Sequence, residues 1–198
     1  MKTFLHVGCG PKRKDQTTCG FNSWQELRLD IDEAVNPDIA GTMTDMPGVA
    51  DASVDAVFSS QNIEHLYPHE MPVALAEFQR VLRPDGFVVI TCPDLQSVCA
   101  LVAQGKLTEP AYTVPARPIT PLDLLYGWRL PMGKGNFYMG TAAALPRRCS
   151  PAPRRPLGFA TVAARRREHP CYDLWALATV ALMAEAGLRQ LAAGHFPK

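Results

Sequence analysis

Two glycines one residue apart, Gly8 and Gly10, close the short apolar run "FLHVGCG" near the N-terminus. Glycine has no Cβ and tolerates positive φ, so such a turn lets backbone come close to a ligand. Asp30 stands 20 residues beyond Gly10, within the next strand-like run "ELRLDID". A carboxylate at a strand end can accept both hydroxyls of a ribose. Asp45 and Met46 follow a third, weaker run, where a carboxylate and an apolar side chain suit the amino group and ring of an adenine. Asn62, Glu64, His65, Tyr67 and His69 follow a fourth run, "VDAVFSS". His65 is of the right type for a general base, since imidazole titrates near neutrality. A plainer reading also fits: the glycines form a mere tight turn, and Glu64 and His65 bond to nearby backbone.

Several other chemistries are excluded. A dinucleotide fingerprint needs a third glycine opening a helix. Here Pro11, Lys12, Arg13 and Lys14 follow, and "PKRKDQTTCGFNSW" lacks helical periodicity. Those basic residues are either a solvated loop or a partner for a ligand carboxylate. No G-x-x-x-x-G-K-[ST] occurs, so a P-loop is absent. The six cysteines (Cys9, Cys19, Cys92, Cys99, Cys149 and Cys171) show no CxxC spacing and no His/Cys pattern suited to zinc. They read as reduced thiols of a cytoplasmic protein, and no metal is expected. A net charge of +1 favours neither nucleic acid nor a membrane surface. No run approaches the roughly 18 apolar residues of a membrane span, and the N-terminus lacks the features of a secretory signal.

These residues need a scaffold that brings strand ends together. Thr3 to Val7 is a short β-run, Glu26 to Asp32 a second, "PDIAGTM" a weak third and Val54 to Ser60 a stronger fourth. In "HEMPVALAEFQRVL", Met71, Leu75, Phe78 and Leu82 recur at spacings of three and four, which predicts an amphipathic helix. "RPDG" is then a turn, "FVVITC" a strand covered on both faces, and Leu95 to Gln104 a second helix. Strands separated by helices imply right-handed crossovers and a parallel sheet. Such a sheet binds ligands at the carboxyl ends of its strands. Residues 108–140 carry five prolines and little periodicity, as expected of an irregular lid or specificity loop. "GFATVAARRR" and "CYDLWALATVALM" read as an antiparallel pair turning near His169 and Pro170, with a helix or tail to close the chain.

Taken in order, "LHVGCGPK", "LDID", "TDMP", "SVDAVFSSQNIEHL" and "EFQRVLRPDGFVVITCPD" resemble the class I S-adenosylmethionine-dependent methyltransferases, in particular their type 11-like members. The resemblance covers residues 3–95 and resumes at 158–178. It implies a single α/β, Rossmann-like domain over residues 1–198. Its seven-stranded mixed sheet would have an antiparallel last strand and helices on both faces. It also implies that Gly8, Cys9 and Gly10 flank the methionine part of S-adenosylmethionine, Asp30 with Ile31 the ribose, and Asp45 and Met46 the adenine, with Asn62 nearby and His65 as catalytic base. The acceptor would be a small molecule or a glycan or lipid precursor. Tyr112, Tyr126 and Trp128 are candidate substrate walls. The helix such proteins carry after the glycine motif is replaced here by a loop from Pro11 to Asn22.

Residues 141–157, "TAAALPRRCSPAPRRPL", depart from everything around them, with four prolines and four arginines. Codons for Gly-His-Arg-Cys-Gly-Phe-Thr, read with one G removed, give Gly-Thr-Ala-Ala-Ala-Leu-Pro, as at Gly140 to Pro146. A compensated frameshift over residues 141–157 is therefore expected. On that view Arg147, Arg148, Arg154 and Arg155 are accidental, and nucleic acid is not an expected partner. The alternative is a non-catalytic, methyltransferase-like binding domain, using its arginines on RNA.

Overall fold

The computed structural model describes residues 1–17, 20–143 and 158–197. Thr3–Val7 (β1), Gln25–Asp30 (β2), Ile39–Ala40 (β3), Val54–Ser60 (β4) and Leu82–Pro93 (β5) lie parallel to one another. A separate hairpin, Tyr112–Val114 (β6) with Arg117–Ile119 (β7), belongs to the later part of the chain. Thr161–Arg167 (β8) and Asp173–Thr179 (β9) pair antiparallel, and β9 pairs antiparallel with β5. The sheet has seven strands in the order β3-β2-β1-β4-β5-β9-β8. The chain starts in the middle and winds outward twice, so the ends of β1 and β4 adjoin at the switch point, where open α/β sheets bind ligands.

Met71–Val81 (α1) covers one sheet face. Its Ala74, Phe78 and Val81 pack with Leu5, Val7, Leu29, Val57 and Val88. Leu82, expected as its last apolar turn, instead opens β5. Leu82 pairs with Val54 and Phe87 with Ala56, so the expected "RPDG" turn is looped out of the ladder within one strand. A Cβ on Gly86 would lie 2.9 Å from the Arg83 carbonyl, which explains the glycine there. Leu95–Ala103 (α2) follows β5, capped by Asp94, which accepts from the Ser97 backbone N–H.

The other face is covered by Glu185–His195 (α5) and by aromatic residues from the loop after β1. Among the described residues no α-helix follows β1 before β2; Lys14–Gln16 is a single 3-10 turn. In place of a helix, Phe21 stacks on Phe4 at 4.4 Å between centroids, and Trp24 meets Phe21 edge-on at 5.2 Å. Glu26 on β2 fastens this loop. One carboxylate oxygen accepts from the Lys14 backbone N–H (3.1 Å) and the other from His6 Nδ1 (2.8 Å). The Lys14 ammonium donates to the Trp24 carbonyl at 2.7 Å.

Residues 108–140 are more regular than their prolines suggest. They hold the β6–β7 hairpin, the helices Pro121–Tyr126 (α3) and Arg129–Met132 (α4), and a 3-10 turn at Phe137–Met139. Thr120 and Asp123 form a reciprocal capping box that starts α3, with Pro121 in its first turn. Gly127 ends α3 at φ +90, where a Cβ would lie 2.0 Å from the Met139 carbonyl; the chain folds back on itself here. From Ala144 to Leu157 the Pro/Arg-rich segment lies outside the described residues, and with it most of the expected frameshift. Among the described residues no helix is long and apolar enough to cross a membrane.

His195 ends α5 against Phe21 (4.7 Å) and Phe87 (4.8 Å), with its Nδ1 lacking a hydrogen-bond partner. Burial pushes its pKa down to about 4, and Lys2 adds to the effect. Between pH 4 and 6.5 the unfolded chain holds a proton on this imidazole that the folded chain does not. Stability therefore rises with pH across that window, by at most roughly 1.4 kcal/mol per unit from this group. His195→Leu is expected to flatten that slope, measured by urea denaturation at pH 4.5 and 7.

Candidate active site

A cavity of about 1720 Å³ opens at the carboxyl ends of β1, β2, β3 and β4. Ligand sites commonly measure roughly 300–1,000 Å³, so this one has room for two molecules side by side. Its floor is the turn after β1. The Gly8 and Cys9 N–H groups both donate to the Leu29 carbonyl, at 2.9 and 3.3 Å. The Gly10 N–H donates to Asp30 Oδ2 at 2.7 Å, while Asp30 Oδ1 accepts from the Asp32 N–H at 2.9 Å. Each oxygen of this buried carboxylate retains a free lone pair, so it can still accept from a ligand hydroxyl.

Gly8 sits at φ +61 directly against Asn62; a Cβ would lie 2.3 Å from the Asn62 side chain. The Asn62 amide donates to the carbonyls of Val7 (3.1 Å), Gly8 (3.2 Å) and Ser60 (2.8 Å). Asn62 thus cross-links the ends of β1 and β4 beneath the turn. Gly10 is also left-handed, at φ +53, but open space surrounds its missing Cβ. Burial pushes the Cys9 thiol up to about 11, so it stays protonated at neutral pH.

Of the residues singled out from the sequence, Gly8, Cys9, Gly10, Asp30, Ile31, Asn62 and His65 all line the cavity. Asp45 and Met46 do not. Gly41 ends β3, and a bridge between Thr42 and Asp45 turns the chain away. Asp45 is left exposed and Met46 enters the core, its N–H donating to Glu77 (2.8 Å). Thr42 and Met43 take the lining positions instead. Of the three basic residues, Lys12 lines the cavity, whereas Lys14 is committed to the Trp24 carbonyl. Tyr67, Tyr112 and Tyr126 are wall residues; Trp128 lies under the Arg117 guanidinium instead, 4.9 Å from it.

Sequence reasoning missed Arg28. It alternates with apolar neighbours on β2 and reads as solvent-facing, yet it is 1% exposed. Its guanidinium donates to the carbonyls of Gly10 (2.5 Å) and Asn36 (2.7 Å), bracing both loops that frame the cavity.

The turn Ile63–His65 clasps the far end of the 108–140 segment. The Glu64 carbonyl accepts from the Ala142 and Ala143 N–H groups, at 2.8 and 2.9 Å. His65 Nδ1 donates to the Gly140 carbonyl at 2.9 Å. Burial holds the His65 pKa below its ordinary value, against the carbonyls of Gly140 and Gln61, so the ring is neutral at pH 7. The Glu64 carboxyl faces an apolar niche of Pro93, Leu95, Val98, Leu124 and Leu125, and its Oε2 has no partner. Burial raises its pKa to about 8.

The arginines of β8 are occupied internally. Arg167 pairs with Asp173, Arg166 with Asp94 and Glu168, and Arg165 donates to the Pro197 carbonyl. Among the described residues they form no open basic face for a phosphate backbone, and the non-catalytic reading finds no support.

Gly8→Ala is expected to destabilise by about 1–2 kcal/mol from the left-handed backbone alone, and by more because Asn62 must move. Gly10→Ala should cost the backbone term only; denaturant midpoints of the two variants test the difference. For Glu64 the folded state holds an extra proton between pH 4.5 and 8, so stability falls as pH rises through that window. Glu64→Gln should therefore match the native chain near pH 4.5 and exceed it in stability at pH 8, checked by thermal melts at both.

The family described as "Methyltransferase domain" matches residues 5–90. No curated protein matches the chain. Its fold is similar to that of solved structures of low identity. One is a SAM-dependent methyltransferase from Archaeoglobus fulgidus, with TM-score 0.50, 14% identity, and 90% of this chain and 86% of that one covered. Another is a SAM-dependent methyltransferase, possibly a histamine N-methyltransferase, from Thermotoga maritima, with TM-score 0.53, 14% identity, and 91% and 83% covered. A third is a complex of the Haloferax volcanii Trm112 methyltransferase activator and a putative methyltransferase, with TM-score 0.54, 13% identity, and 93% and 84% covered. With the glycine turn and the buried Asp30 at the switch point of this sheet, residues 5–90 match a methyltransferase domain, and the chain has the fold of solved S-adenosylmethionine-dependent methyltransferases.

Proposed function

We propose that the chain works as a single methyltransferase domain in the cytoplasm, moving a methyl group to a small organic acceptor, with residues 108–140 as the lid over that acceptor. The observation that carries this reading is Asp30, buried at the end of β2 and holding the Gly10 N–H while retaining acceptor capacity toward the cavity. Asp30 would take the ribose hydroxyls, the turn from Gly8 to Gly10 the methionine part, and Lys12 its carboxylate. Thr42 and Met43, rather than Asp45 and Met46, would flank the adenine. The cavity residues fit the cofactor in chemistry as well as in room.

The cofactor supplies a methyl group already activated on a sulfonium. What remains for the protein is to hold a nucleophile in line at about 3–3.5 Å and to exclude water. The lid, clasped by Glu64 and His65, performs the exclusion. His65 is the proposed base. Its Nδ1–H is committed to Gly140, so in the neutral ring Nε2 carries the lone pair and can take the proton that the nucleophile loses. The free thiols Cys9, Cys99 and Cys171 suit a reducing compartment. Residues 141–157 are proposed to be the product of a compensated frameshift, which resequencing of the gene would test.

Calorimetric titration with S-adenosylmethionine tests the cofactor site, with Asp30→Ala and NAD as controls. Saturable binding is expected, weakened about tenfold or more in the variant, with none for NAD. Equal binding by Asp30→Ala would overturn the assignment of the ribose site.

A further inference from the structure

We propose that the acceptor is an uncharged molecule with a flat aromatic body, held against the rings of the lid; this rests on the reading of the cavity as a methyl-transfer site. The side of the cavity away from the glycine turn is walled by Tyr112, Tyr126, Phe137 and Tyr138, with Met132 and Met139 between them. Tyr126, Phe137 and Tyr138 are 62%, 75% and 64% exposed although they face a cavity. Among the described residues, none of these three side chains meets another ring or makes a hydrogen bond, whereas most other aromatic residues of the chain are paired. Large rings left open to water on one face are what a stacking ligand covers.

The cations on this side are already paired. Arg167 donates to Asp173 through Nε at 2.8 Å and lies over the Trp175 ring, and Trp175 Nε1 donates to the same carboxylate at 3.2 Å. Glu70, whose carboxylate accepts from the Tyr67 N–H at 2.8 Å, adds a negative charge that would repel an anion. His65 is tied to Gly140 and neutral. The lysine in the lining, Lys12, belongs to the glycine turn on the opposite side. A phosphorylated sugar or a lipid phosphate would find no spare cation here, and burying its charge unpaired is costly. An apolar ring finds thioethers and aromatic faces, and a phenol or ring nitrogen on its edge would meet His65.

The test uses 2-naphthol as probe in a calorimetric titration of the full chain, with and without saturating S-adenosylhomocysteine. Glucose 6-phosphate serves as the charged comparison. The expected result is that 2-naphthol binds alongside S-adenosylhomocysteine and glucose 6-phosphate does not. The double variant Phe137→Ala/Tyr138→Ala should bind 2-naphthol about tenfold more weakly or worse, with S-adenosylhomocysteine affinity unchanged. Tighter binding of glucose 6-phosphate, or undiminished 2-naphthol binding by the double variant, would overturn the proposal. Binding of S-adenosylhomocysteine without 2-naphthol would overturn it and leave the methyltransferase reading intact. Ring-dependent binding of 2-naphthol without S-adenosylhomocysteine would uphold the aromatic site and reject the cofactor reading.

Discussion

Everything at the cofactor end depends on how the turn after β1 is tied to β2. The two left-handed glycines of this turn have no side chains to hold it, and among the described residues no α-helix follows to seat it. The tie is made by three consecutive residues of the neighbouring strand. The Leu29 carbonyl takes two N–H groups, the Asp30 carboxylate takes the third, and the Arg28 guanidinium takes the Gly10 carbonyl. Each neutral bond adds about 1 kcal/mol net and each bond to a charged group about 1.5–3 kcal/mol. Their value lies in geometry: together they leave the turn one shape, with the Asp30 carboxylate beside it and open to the cavity.

That arrangement requires polar groups inside the sheet. His6, Glu26 and Arg28 lie on the face where Phe4, Ala56 and Phe58 are packed, and burial there would be costly without partners. Glu26 bridges His6 to the Lys14 backbone, and Arg28 reaches two loop carbonyls. The loop from Pro11 to Asn22 thus supplies the second partner of Glu26, while Phe21 from that loop and Trp24 just after it cover the apolar part of the same face.

Much of this was legible in the sequence, for identifiable reasons. β1 and β4 run over the residues expected because each is an apolar run ended by a sharp change in composition, and β8 and β9 pair across the turn at Pro170 as read. Asp45 and Met46 fall off the cavity because β3 is only two residues long and its end is marked by Gly41, not by the more conspicuous Asp45. Arg28 gives no signal in the sequence because alternation cannot tell a solvated face from one covered by a loop. The clasp of His65 on Gly140 joins residues 75 apart with no shared pattern, so only the folded chain reveals it. Proline content likewise suggested disorder of form in residues 108–140, where Pro121 in fact helps to start a helix.

The two borders of the sheet are unlike one another. β3, at one border, is too short to template anything. β8, at the other, offers seven residues of strand, and among the described residues only β9 is bonded to it. An open strand of that length invites a second chain to add to it, the route by which sheet proteins stick together. Arg165, Arg166 and Arg167 occupy the last three positions of β8. Charged, hydrated side chains on a strand border hinder such addition, and Arg166 and Arg167 keep their bulk there although each is paired with a carboxylate. The arginine run that suggests a nucleic-acid surface in the sequence thus stands in the fold on the open border of the sheet, where natural sheets place charge against edge-to-edge pairing.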